Sequence, residues 1–165
     1  HGSISKVREL DVLVRMGLDV RFIGSGDAVK QLRTMGARVD DACLSENIPS
    51  ILSEAEIGLM HLPNRPEWRG ASPLKVSEYA AAGMCVVSSE VSGLSEFREE
   101  EWLSLIPLGD NAAFLSAVNE LLECEISEIR RRGESARLWA RKYRDWSVCV
   151  FELEKLINQS LNESQ

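Results

Sequence analysis

The stretch ASPLKVSEYAAAGMCVVSSEVSGLSEF, residues 71–97, decides the fold. Its first half reads as a helix: Ser72 is of the capping type, Pro73 suits a first helical turn, and Gly83 ends the run. Ala80, Ala81 and Ala82 give that helix a thin face that can lie close to a sheet. Residues 84–88 (MCVVS) are then almost continuously apolar, as a strand covered on both faces must be. A helix that feeds such a strand is half of a parallel α/β unit.

The same alternation extends in both directions. Residues 57–62 (IGLMHL) and 102–106 are further buried strands, and 63–72 is a polar, Pro-containing loop. Upstream, 18–24 (LDVRFIG) is a β-rich run that ends in Gly24-Ser25-Gly26, and a weaker strand lies near 38–44. Helical spacing predicts helices over 5–16, 27–35 and 48–55, the second stopped by Gly36. The last third is helical. Asp110 caps a helix whose buried stripe is Phe114, Leu115, Val118, Leu121 and Leu122. A second helix starts at about 126, and a third carries Trp146, Val150, Leu153, Leu156 and Ile157 before fraying after Leu161. The expectation is one α/β domain over 1–165, with ligands bound beyond the carboxyl ends of its strands. Gly24-Ser25-Gly26 lacks the third glycine of a dinucleotide turn, so it reads first as a tight strand-to-helix turn and second as a nucleotide neighbour.

Composition removes several function classes. Nineteen Lys and Arg against 26 Asp and Glu give a net charge of −7, so the chain lacks the basic footprint of a nucleic-acid binder. No apolar run is long enough to span a bilayer. The opening His1-Gly2-Ser3 has no Met, no basic segment and no apolar segment, and reads as a piece of a longer protein without a signal peptide. Cys43, Cys85, Cys124 and Cys149 are too scattered for a zinc site or a disulfide framework, and suggest reduced thiols in a cytosolic protein with Cys85 buried in a strand. Residues 130–144 carry six Arg and one Lys against one Glu. That stripe is either a solvated helix face or a surface for anionic lipid at the inner face of a membrane, a peripheral contact. No acidic cluster follows the first apolar strand, which disfavours a phosphoryl-receiver domain. His61, at the end of a buried strand, reads as a packing histidine with donor contact as the alternative; His1 carries no signal.

The chemistry concentrates at the helix that begins near Pro73. A helix start leaves backbone N–H groups unpaired, here including those of Leu74 and Lys75, and with the helix dipole these favour a phosphate. Lys75 adds a positive charge. Glu78 lies one turn on from Leu74, where a carboxylate can accept two hydrogen bonds from the vicinal diol of a ribose. A capped core helix with a surface glutamate fits the same spacing.

P-x-K-x-x-E-Y-x-A-x-G-x-x-V-V followed by V-x-G-L-x-E resembles the donor-binding half of retaining nucleotide-sugar glycosyltransferases of the GT-B fold. Other segments resemble that family in the same order: Gly2-Ser3 with Arg8-Glu9-Leu10-Asp11, FIGSG, EAEIGLMHLP, Leu108-Gly109-Asp110 and Asp145-Trp146-Ser147. The resemblance spans nearly the whole chain. It implies a Rossmann-like parallel sheet in the order 3-2-1-4-5-6, covered by helices, as the C-terminal domain of the enzyme. Only Gly2 and Ser3 would remain of the first strand. A strand from upstream or from elsewhere is therefore expected between 18–24 and 57–62, and those two strands are expected not to bond each other.

The resemblance also implies roles. Gly2 and Ser3 approach the donor pyrophosphate. Arg8 stands where the family has a phosphate-binding Lys, and Arg8 and Lys75 are the residues expected to act in catalysis. Ser72, Pro73 and Leu74 form the tripeptide whose backbone contacts sugar and phosphates, and Glu78 holds the ribose. The donor would be a UDP- or GDP-sugar, a substrate rather than a cofactor, with no metal. An N-terminal domain of the same protein would bind the acceptor. Three positions depart from the pattern: Gly70 replaces the first family glutamate, Ser3 replaces an Arg, and Pro73 replaces a Gly. The departures admit two alternatives, a degenerate non-catalytic binding module and a nucleotide-sugar epimerase of the same fold.

Overall fold

Cys85–Ser89, here β5, is buried at every residue. Successive side chains of a strand point to opposite faces, so β5 serves two cores at once. Val86 joins Met60, Leu62, Val76, Tyr79, Ala80, Trp102 and Trp139 on one side. Cys85 and Val87 join Ile4, Leu13, Phe22, Leu32, Phe114 and Val118 on the other. Each large apolar side chain so buried contributes about 1.5–3 kcal/mol relative to exposure. In this computed structural model residues 1–163 are described.

The strands form two parallel ladders. The first holds β1 (Gly2–Ser3), β2 (Arg21–Ser25) and β3 (Arg38–Asp40) in that order; Gly2 is opposite Gly24, and Arg21 is opposite Arg38. The second holds β4 (Ile57–Met60), β5 and β6 (Leu103–Ile106), with Ile57 opposite Cys85 and Val86 opposite Leu103. The helices are α1 (Asp11–Arg15), α2 (Val29–Thr34), α3 (Ile48–Leu52), α4 (Pro66–Arg69), α5 (Leu74–Ala82), α6 (Asn111–Glu123), α7 (Ile126–Tyr143) and α8 (Trp146–Glu163). The α/β architecture is the expected one, with β3-β2-β1 and β4-β5-β6 taking the two halves of the expected order. Among the described residues β2 and β4 are not bonded to each other, and on the free side of β2 only the two-residue β1 is paired. The slot between β2 and β4 is a cavity of about 620 Å³ walled by Phe22, Ile57, Leu59 and Met60 among others.

Several expectations need correction. The helix predicted over 5–16 is a 3-10 turn at Lys6–Arg8 followed by α1, because Glu9 adopts a left-handed φ of 51°. Glu9 receives a hydrogen bond from Arg65 Nη2 at 2.5 Å, and the Lys6 N–H donates to Asp27 Oδ1 at 2.9 Å, so tertiary contacts fix the break. Ser72 does not cap α5: Pro73 is the N-cap, with extended backbone (ψ 107°), and makes no side-chain cap bond. The helix starts one residue later than the sequence suggests. Pro73 itself takes an extended rather than a helical ψ, so Leu74 is the first helical residue and Ser72 lies one position too early to cap. The third C-terminal helix does not end at Leu161 but runs on to Glu163.

Other local readings agree with the sequence. Asp110 Oδ1 accepts from the Ala113 N–H at 2.9 Å, capping α6. Gly24 and Gly26 have φ of 147° and 152°; a Cβ on either would lie 1.8 Å from Gly2 O and 2.2 Å from Ile4 O respectively. These glycines let the 2–4 segment run directly against β2. Cys43, Cys85, Cys124 and Cys149 are free thiols, and Cys85 is buried. The basic stripe is largely tied up within the chain. Arg131 pairs with Glu101 and Glu128, Arg132 pairs with Glu128, and Arg144 stacks on Phe97 and Trp139. No described helix is long and apolar enough to cross a membrane.

Candidate functional site

A cavity of about 890 Å³ opens where β1 and β2 end, between α3 and α5. Gly2, Ser3, Gly24 and Ser25 form its floor, and Glu78 and Ala82 stand on the α5 wall. This is the position at which open parallel sheets bind ligands. Glu78 is half exposed, so its carboxylate is accessible from the cavity.

Lys75 meets Gly2. A Cβ on Gly2 would lie 2.8 Å from Lys75 Nζ, so the glycine makes room for the ammonium. Burial pulls the Lys75 pKa below its ordinary value, the nearby charge of Arg8 lowers it further, and Glu78 opposes both. Two cations are thus held close together beside a glycine backbone, an arrangement that an anion relieves. The Arg8 guanidinium lies 5.3 Å from the centre of the Trp68 ring. Trp68 on α4 and Arg65 at its N-cap fasten to the 6–9 turn the 63–72 segment, which the sequence reads as loop throughout but which contains this short helix.

Gly2, Ser3 and Glu78 line the same cavity. Arg8 and Lys75 line the neighbouring slot between β2 and β4, which also takes in His1 and Ser3. Ser72, Pro73 and Leu74 stand outside the linings of both spaces, at the N-terminal end of α5, and Leu74 is exposed. The loop that carries Ser72 is held by a bond from Gly93 N–H to Ala71 O at 3.3 Å. Nothing lies within 4 Å of a Cβ built on Gly70, so a side chain there would enter open space.

Three contributors carried no signal in the sequence. His1 Nε2 lies 2.9 Å from Glu78 Oε2. Trp68 supports Arg8, although its loop has no periodicity to mark it. Arg137, one of many cations in the 130–144 stripe, reaches the far end of the cavity. His61 packs as a core residue, with Nε2 3.1 Å from Asn111 Oδ1 and its ring edge-on to Phe114. Its Nδ1 is buried without a partner, and burial holds its pKa below the ordinary value.

A family model described as glycosyl transferases group 1 matches residues 4–124. The chain belongs to that family. It is therefore a glycosyltransferase domain. Among solved structures, sucrose-phosphate synthase from Thermosynechococcus elongatus superposes with a TM-score of 0.74 at 17% identity, covering 98% of this chain and 46% of its own. HepE from Anabaena, solved in complex with UDP-glucose, gives 0.69 at 16% identity, covering 98% and 48%. WaaG, a glycosyltransferase involved in lipopolysaccharide biosynthesis, gives 0.66 at 14% identity, covering 90% and 44%. These likenesses establish the GT-B fold, and the chain spans about half the length of the structures it matches. No curated protein matches.

Proposed function

We propose that residues 1–165 form the donor-binding domain of a retaining glycosyltransferase, which moves a sugar from a UDP- or GDP-sugar to an acceptor held by an N-terminal domain of the same protein. The observation that carries this reading is that Gly2 and Glu78 line one cavity while the Lys75 ammonium, from the same helix as Glu78, lies against the Gly2 backbone at its edge. The diphosphate lies between the Gly2-Ser3 segment and the start of α5. Arg8, Lys75 and the free N–H groups of that helix terminus take up the negative charge that grows on the leaving diphosphate. The Ser72–Leu74 backbone faces the sugar–phosphate junction, and Glu78 accepts from the ribose hydroxyls, releasing His1. The domain alone binds nucleotide and transfers no sugar, because it forms half of the cleft. That the HepE structures contain UDP or UDP-glucose supports a nucleotide-sugar donor.

Titration of UDP and GDP into the Glu78→Ala variant tests the site. A charged hydrogen bond contributes about 1.5–3 kcal/mol, so affinity falls roughly tenfold or more. An unchanged affinity removes Glu78 from the ribose. Sugar transfer by the intact protein excludes a purely binding module, and a new sugar nucleotide formed without acceptor would indicate an epimerase.

A further inference from the structure

The donor reading leaves the inner end of the 890 Å³ cavity without a role. The cavity follows α5 from Glu78 to Ala81 and Ala82, with Ile48, Pro49 and Leu52 of α3 opposite. Leu74, Glu78 and Ala82 follow one another at single-turn spacing, so start to end is about 12 Å of helix. With a diphosphate at the first turn and a ribose at Glu78, the base comes to the last turn. There the walls are apolar and small on one side, apolar and branched on the other, which suits a flat ring.

Arg137 closes that end. It projects from α7, and its Nη2 donates to Ala82 O at 2.9 Å. Its Nη1 donates to Glu134 Oε2 at 3.2 Å on the same helix. A guanidinium carries more N–H donors than these two bonds use, and it carries no acceptor. The Ala82 bond anchors the fork beside the cavity, where Arg137 is a lining residue.

We propose that Arg137 selects the base: it donates to the carbonyl oxygen at C4 of a pyrimidine or C6 of a purine, so the site takes uracil or guanine and rejects cytosine or adenine, which carry an amino group at that position. Uracil and guanine turn a carbonyl oxygen where cytosine and adenine turn an amino group. An amino group there sets donor against donor and forfeits the charged hydrogen bond that a carbonyl oxygen would accept. This rests on the donor-site reading, and it adds what that reading does not supply, a residue that discriminates among nucleotides.

The test is calorimetric titration of the intact protein with UDP, CDP, GDP and ADP. UDP and CDP differ at the edge in question and match in size, as GDP and ADP nearly do. Expected is a preference of roughly tenfold or more for the oxo member of a pair that binds. Arg137→Met brings that ratio close to one by weakening the oxo nucleotide, and Arg137→Lys keeps part of it. A residue that served only to hold the end of α5 would lower the melting temperature and weaken all four nucleotides alike, and that result overturns the proposal. So does a wild-type ratio near one, which decides the matter even if the Met variant fails to fold. If none of the four binds, the donor-site reading falls as well. If they bind without preference and Glu78→Ala still weakens them, only the role of Arg137 falls.

Discussion

Replacing Gly133 by alanine sets two effects of opposite sign against each other. Gly133 lies inside α7, where alanine is favoured over glycine by about 1 kcal/mol. On that ground alone the variant should be more stable. Yet a Cβ on Gly133 would sit 2.1 Å from Gly83 O and 3.0 Å from Gly83 C. Carbon and carbonyl oxygen do not ordinarily approach closer than about 3.3 Å, so α7 must back away by about 1.2 Å. The neighbour is backbone and cannot rotate aside. Ala80 and Ala136 are fully buried within the same core, and separation of α5 from α7 loosens the packing that encloses them. Overpacking of this kind costs about 1–3 kcal/mol and occasionally more. At the top of that range, less the helix gain, the net loss is about 2 kcal/mol. For a chain of this size that corresponds to a fall in Tm of roughly 4–8 °C. The assay is urea denaturation, read as a lower midpoint at unchanged slope. Gly70→Ala is the control: its Cβ meets nothing within 4 Å, so its unfolding free energy should stay within about 0.5 kcal/mol of the parent. A Gly133→Ala midpoint at or above that of the parent would refute the steric argument.

Two further predictions concern Gly70 and His61. The parent should bind a nucleoside diphosphate and its sugar conjugate about equally, and Gly70→Glu should favour the conjugate without loss of stability, since the added side chain enters open space. A tenfold preference already present in the parent, about 1.4 kcal/mol, would show that other residues hold the sugar. Burial keeps the His61 imidazole below its ordinary 6.5, with the Asn111 hydrogen bond opposing. As pH falls through 6.5 the unfolded chain binds a proton that the folded chain refuses, so stability declines until the folded ring itself protonates. Between pH 7 and pH 5 the urea midpoint of His61→Leu should therefore drop less than that of the parent, and parallel curves would contradict it.

The fold was legible where hydrophobic pattern and local chemistry agreed. The apolar runs at 57–62, 84–88 and 102–106 match β4, β5 and β6 to within one or two residues because strands covered on both faces give long apolar runs. The cap at Asp110 was equally plain, since its side chain acts on its own helix. Reading failed where distant contacts decide. Apolar spacing over 5–16 is helical, but the contacts of Arg65 with Glu9 and of Asp27 with Lys6 impose the break between them. Glu78 was visible as a carboxylate one turn into a helix, whereas its neighbour His1 was not, because 76 residues of chain lie between them and no motif joins them. Arg137 was hidden among like charges, and only the crossing of α7 over the end of α5 distinguishes it.

The two ladders share side chains but no backbone. Phe22 and Leu32 from the first pack in one cluster with Val87 from the second, yet among the described residues no backbone hydrogen bond joins residues 1–40 to β4, β5 or β6. The segment that carries Gly2 and Ser3 belongs to the first ladder and the helix that carries Lys75 and Glu78 packs on the second, and side-chain contacts such as His1 with Glu78 and Arg65 with Glu9 join the two sides. In such an arrangement a ligand lying across both is a brace as well as a cargo: it ties the β1–β3 body to α5 through its own covalent frame, and the chain should exchange its β2 amides more slowly once that brace is in place.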